Sequence, residues 1–358
     1  MSVPRRLATQ WLSLLLLASV LVMVLHAIHV PAVLLLGPML AGIVFAVGGS
    51  SLRLPRSFPI GAQAILGCLI AQAISAELIA VMSAHWTLFM GFSLATLFIA
   101  AGLGWLITRS GWLPGTTAIW GLSPGAASAM VLLADELGAD RRMVALMQYS
   151  RIALVALAAI IVAKLIGHRN FPLANATSDD MVSQWLAFSP TWPLIGTLAL
   201  AATSVTIAIF FRKAALALFI PAFAGAAMQA AGLINISTPP LLVTLAFGIV
   251  GIYVGLSFTR EALIHSLSVL PIMLLGIVAM VVLCGLLSLA FYKLLPGTDL
   301  LTAYLALSPG GIDAAVIIAA DTPVSLTLIL ASQFVRLLLV IAFAPALAKW
   351  LAQRHQRE

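Results

Sequence analysis

Four stretches of this chain, residues 11–30, 86–108, 194–211 and 269–291, run for 18 or more positions without an Asp, Glu, Lys or Arg. Helices of roughly 17–25 apolar residues match the hydrocarbon thickness of a bilayer. The period-two alternation of a transmembrane barrel is missing, and continuous Leu, Ala, Val and Ile runs replace it. With 63% hydrophobic and 8% charged residues, no water-soluble fold could hide the apolar surface. The sequence therefore predicts an all-α, polytopic transmembrane helical bundle. Twelve spans can be fitted, several of them weak.

The net charge of +7 comes from Lys and Arg scattered through short loops and termini, not from one basic patch. Arg5 and Arg6 precede the first span and Arg53 and Arg56 follow the second, which places both stretches in the cytoplasm by the positive-inside rule. Around His26 and His29 there is no A-x-A-like cleavage site, so the first span reads as an uncleaved anchor. Cys68 and Cys284 lie in apolar spans and imply neither a disulfide framework nor a metal site.

The chain is internally duplicated. Leu122-Ser123-Pro124-Gly125 returns as Leu307-Ser308-Pro309-Gly310, and each is followed by a Gln-x-x-Arg pair, Gln148 with Arg151 and Gln333 with Arg336, all at an offset of 185. Pro38-Met-Leu-Ala-Gly42 returns as Pro221-Ala-Phe-Ala-Gly225, and Leu113-Pro-Gly-Thr116 as Leu295-Pro-Gly-Thr298. The expected organisation is membrane repeat one at 11–166, a polar linker at 167–189 and membrane repeat two at 190–350, each repeat with about six spans and a Pro/Gly-broken helix. Six spans per half would make the repeats parallel, whereas an odd number would invert them. The basic residues leave both arrangements open.

Ser-Pro-Gly inside an apolar segment should split a helix, because proline lacks a donor and glycine relaxes the dihedral restriction. The half-helix beyond each break would offer free N–H groups to an anion. The other reading is a kink or a surface loop end. Arg151 and Arg336 fall near the middle of the apolar runs 143–166 and 324–347, with Gln148 and Gln333 one turn earlier on the same face. A central Arg costs about 2.5–3.5 kcal/mol on insertion scales, so each needs a partner or a wet cavity. Asp313 is the natural partner for Arg336. Ser128 occupies the equivalent position in the first repeat, which would leave Arg151 for an anionic ligand. A structural ion pair is the competing account. The candidate solute site is Ser123, Pro124, Gly125, Ser128, Gln148 and Arg151, with Ser308, Pro309, Gly310, Gly311, Asp313, Gln333 and Arg336.

Other polar groups carry blander readings. Asp135, Glu136, Asp140, Arg141 and Arg142 form a charged turn, with Asp321 matching Glu136, and read as a solvated loop. His26 and His29 share a helix face but lack third and fourth metal ligands, so they read as an interfacial pair. Gly251-Ile-Tyr-Val-Gly255 has the small-xxx-small spacing of close helix packing. Gln63 and Gln72 could line a cavity or bond to a neighbouring helix.

Together with Leu34-Leu-Leu-Gly-Pro38, Gln63-Ala-Ile-Leu-Gly67 and Met147-Gln-Tyr149, these motifs resemble the bacterial AbrB family of inner-membrane proteins, from about residue 11 to residue 350. The resemblance implies a multi-pass protein of the inner (cytoplasmic) membrane. Its family labels are regulation of gene expression or ammonia monooxygenase, and no catalytic residues come with them. A copper monooxygenase needs clustered His and carboxylates, which six mostly isolated His do not supply. A recognition helix or basic arm for nucleic acid is also missing. The expectation is a secondary-transporter-like carrier of a small anionic solute, without enzyme activity, metal or cofactor, whose effect on gene expression is indirect. The alternative is a membrane-embedded regulator acting through a protein partner. The partners expected are the bilayer and a small solute, without direct nucleic-acid binding, and a homo-oligomer is compatible with either reading.

Overall fold

The computed structural model describes residues 3–27, 33–72, 74, 76–113, 115–124, 130–131, 134, 139–165, 191–310 and 324–355. All regular structure among them is helical: α1 (Val3–Ala27), α2 (Val33–Val47), α3 (Ser57–Gln72), α4 (Ala76–Ala84), α5 (Trp86–Arg109), α6 (Thr117–Leu122), α7 (Arg141–Leu165), α8 (Thr191–Phe210), α9 (Ala215–Ile220), α10 (Ala226–Ala230), α11 (Pro240–Gly255), α12 (Arg260–Leu294), α13 (Leu300–Leu307) and α14 (Leu326–His355). A single π turn, Pro221–Gly225, joins α9 to α10.

Among the described residues five helices are long and apolar enough to cross a membrane: Leu7–Ala27, Trp86–Arg109, Arg141–Ala159, Pro193–Phe210 and Leu267–Leu294. Four of them overlap the charge-free stretches that stand out in the sequence. Their outward faces carry large apolar side chains, with Leu12 71%, Leu16 66%, Leu275 67% and Leu286 59% exposed. Such stripes suit lipid contact and would be an aggregation liability in water.

The twelve expected spans do not appear as twelve full-length helices among the described residues. Val33–Val47, Leu216–Ala230 and Pro240–Gly255 are shorter apolar helices, and Leu326–Val340 is the short apolar part of α14. At 1.5 Å per residue a 15-residue helix is roughly 22 Å long, short of a hydrocarbon core of about 30 Å. Glycines in the left-handed region follow two of these helices, Gly49 (φ 82°) after α2 and Gly232 (φ 71°) after α10, while Pro38 lies inside α2 and Pro221 opens the π turn without ending either helical stretch.

The chain folds as two compact units, each drawing a segment from both sequence halves: Met1–Ala76 with Ala174–Leu263, and Glu77–Leu173 with Ile264–Glu358. In the first unit the paired motifs pack crosswise. The Pro38 to Gly42 stretch of α2 meets α11, where a Cβ added to Gly251 would stand 2.4 Å from the Leu35 carbonyl oxygen and one added to Gly255 2.2 Å from that of Met39. The Pro221 region meets α3, where a Cβ on Gly67 would stand 2.3 Å from the Leu218 carbonyl oxygen. The small-xxx-small spacing is therefore a packing device. Gln72 bonds to a neighbouring segment: its Oε1 accepts from the amide of Thr238 at 3.0 Å and from the Thr238 hydroxyl. Gln63 is fully buried with both amide atoms unpaired.

The second unit has a core built from α5, α6, α7 and α12, including Ala100, Leu122, Met147, Val155, Met273 and Cys284. Both cysteines are buried free thiols. His26 lies in the last turn of α1, while His29 and the linker stretch 167–189 fall outside the described residues.

Candidate functional site

Proline disfavours helical geometry in the residue before it, and both breaks use that restriction. α6 stops at Ser123 (φ −59°, ψ 119°) before Pro124, and α13 stops at Ser308 (φ −58°, ψ 139°) before Pro309. A helix that stops leaves its last carbonyls without partners, carrying the partial negative charge of the helix C-terminus. Here both ends are buried in the second unit, where water cannot satisfy them.

A glutamine and an arginine from a longer helix fill each end. From α7, Gln148 Nε2 donates to the carbonyls of Trp120 at 2.8 Å and Ser123 at 3.1 Å, and Arg151 Nη1 donates to those of Leu122 at 3.3 Å and Ser123 at 2.8 Å. From α14, Gln333 Nε2 donates to Leu305 at 2.9 Å and Ser308 at 3.3 Å, and Arg336 Nη1 to Leu307 at 3.2 Å and Ser308 at 2.8 Å. In both networks Nη2 of the arginine donates to Oε1 of the glutamine one turn earlier. Every bond in one network has its counterpart 185 residues on in the other.

A second matched pair fixes the start of each broken helix. The amide of Asp140 donates to Thr117 Oγ1 at 3.2 Å, and the amide of Ser325 donates to Thr302 Oγ1 at 3.1 Å. Asp299 caps α13 by accepting from the Thr302 amide at 2.7 Å, the role an N-cap Asp serves. Beside that cap lies a cavity of about 690 Å³ lined by His85, Thr298, Asp299, Thr302 and Ser325. One length of α13, roughly 12 Å, separates this mouth from the Arg336 cap.

Arg151 is 0% and Arg336 2% exposed. Backbone carbonyls and a glutamine amide oxygen, and not a carboxylate, are the partners seen for both arginines among the described residues. Sequence reasoning missed this partnership because carbonyls leave no mark in a sequence. The expected pairing of Arg336 with Asp313 concerns a residue outside the described ones, as do Gly125, Ser128 and Gly311; Ser123, Pro124, Ser308, Pro309 and Gly310 are buried at the breaks. The charged turn before α7 proves half-buried, with Asp140 Oδ1 accepting from the Arg142 amide at 2.9 Å, while Asp135, Glu136 and Asp321 are not described.

The two ends differ in what they leave unpaired. Ser308 Oγ donates to the Leu305 carbonyl at 3.0 Å. In the first network Ser123 Oγ, Trp120 Nε1 and Arg151 Nε are buried without a hydrogen-bond partner among the described residues. Each buried unpaired group of this kind costs about 1–3 kcal/mol.

The profile described as "Transition state regulatory protein AbrB" matches residues 34–352. The chain belongs to the AbrB family. It is 39% identical over 344 residues to the Escherichia coli (strain K12) protein named "Putative regulator AbrB", covering 96% of this chain and 97% of that protein. It is also 26% identical over 302 residues to "Uncharacterized protein YhjN" of Bacillus subtilis (strain 168), covering 82% and 78% respectively. No solved structure matches it significantly. In this AbrB-family chain both arginine caps lie inside the matched region.

Proposed function

We propose that the protein is a multi-pass carrier of a small anionic solute in the bacterial inner membrane, built as two membrane repeats, with its site at the paired helix breaks of the second unit. The observation that carries this reading is the burial of two arginines, each tied to the end of a broken helix, in a chain whose long helices suit a bilayer. Ionisable residues at membrane depth characteristically mark solute or ion pathways, and broken helices at mid-membrane are a recurring transporter device. Positive charge at both breaks favours an anion over an amine.

Copper monooxygenase chemistry would need grouped His and carboxylate ligands. Among the described residues no three of His, Cys, Asp or Glu come together. The names of the family and of the Escherichia coli relative favour a second reading, a membrane-embedded regulator acting through a protein partner. A carrier joins the two readings if the solute it moves is what a separate regulator senses.

The experiment is uptake into vesicles of purified protein, scanned over labelled carboxylates, inorganic anions and amines. At least one anion is expected to enter well above the rate in protein-free vesicles while the amines do not. Flux equal to that of empty vesicles across the panel would leave only the regulator reading.

A further inference from the structure

The unpaired donors at the first break identify what the site takes. Arg151 Nε, Ser123 Oγ and Trp120 Nε1 are each buried and without a partner among the described residues. Trp120 lies in the last turn of α6 and Ser123 is the residue that caps that turn. The Ser123 carbonyl is 2.8 Å from Arg151 Nη1, so the hydroxyl of the same residue stands a few ångströms from the guanidinium. An indole and a guanidinium only donate hydrogen bonds, and a hydroxyl can donate. The matching ligand is an acceptor with several lone pairs and a negative charge. A planar carboxylate meets a guanidinium edge with one oxygen and still offers its second to a neighbouring donor.

The second break is not equipped in this way. Its serine hydroxyl is spent on the Leu305 carbonyl. We propose that the solute site is one-sided: the first break binds the carboxylate group of a small monoanionic solute through Arg151 Nε, Ser123 Oγ and Trp120 Nε1, and the second break is a fixed structural cap. This rests on the carrier reading and deepens it, because the duplicated motifs hold two matching caps while only the first adds an indole donor and a serine hydroxyl without a partner among the described residues.

The test uses full-length protein in lipid nanodiscs, with thermal unfolding followed as sodium acetate is added and sodium chloride at equal ionic strength as the control. Acetate is expected to raise the unfolding midpoint of the wild type and of Ser308→Ala. In Ser123→Ala the half-effective acetate concentration rises about tenfold, the loss expected for one hydrogen bond to a charged group. Trp120→Phe, which removes only the indole donor, weakens acetate in the same direction and serves if Ser123→Ala misfolds. Equal acetate responses of Ser123→Ala and Ser308→Ala, equal effects of chloride and acetate, or no acetate response in the wild type would each overturn the proposal. Vesicle uptake of an anion alongside such a result leaves the carrier reading standing, whereas absence of anion uptake removes that reading itself.

Discussion

Valine at position 255 is expected to force α2 and α11 apart and to cost more than about 3 kcal/mol, the upper end of the usual overpacking range. The added Cβ would stand 2.2 Å from the Met39 carbonyl oxygen and 2.9 Å from the Gly42 Cα, both backbone atoms that cannot turn aside. A Cβ added to Gly251 would stand 2.4 Å from the Leu35 carbonyl oxygen, so Gly251→Val should behave alike. On the same helix a Cβ added to Gly248 would have only Pro38 Cγ within 4 Å, at 3.9 Å. Gly248→Ala should therefore unfold like the wild type, and unfolding of the three variants in one detergent or nanodisc preparation reads the contrast directly. Similar behaviour of Gly248→Ala and Gly255→Val would mean that α2 and α11 do not approach as closely as described.

Removing either buried arginine should rank with those substitutions. Arg151→Ala leaves the carbonyls of Leu122 and Ser123 and the Oε1 of Gln148 without its donors, and Arg336→Ala does the same to Leu307, Ser308 and Gln333. Stranding buried polar groups costs about 1–3 kcal/mol each, and loss of one member of a buried charged network commonly costs 3–5 kcal/mol. Each variant is thus expected to be destabilised by about 3–5 kcal/mol in an unfolding titration. Arg→Lys at either site keeps the charge without the planar fork, so it should retain part of that stability. Alanine variants as stable as the wild type would show that the carbonyl ends do not depend on these side chains.

Much of the fold is legible in the sequence because a bilayer imposes a length and a composition on each span. The charge-free stretches at 86–108 and 269–291 correspond closely to α5 and to the membrane-length part of α12. The glycine pair in α11 also keeps its meaning as a packing surface. Span number was harder to read, since a run such as 33–47 is apolar like a full span yet forms only a 15-residue helix. Which segments gather into a compact unit is set by contacts far apart in sequence, and no local pattern encodes that α2 meets α11.

At the site, the Gln-x-x-Arg pairs and the Ser-Pro-Gly breaks stand out as related features. Their relation does not, because the link is a backbone carbonyl 28 residues upstream of each arginine. The unequal serines are less legible still. Ser123 and Ser308 occupy identical motifs, and only the third dimension shows one hydroxyl bonded to Leu305 and the other unpaired.

Solute uptake by the two lysine variants, set against the wild type in vesicles with matched amounts of folded protein, is the most direct test. Arg151→Lys is expected to lose most of the anion flux while Arg336→Lys, altered only at the fixed cap, keeps the greater part of it. Undiminished flux in Arg151→Lys would contradict a carboxylate site at the first break, and with it the role assigned to that arginine.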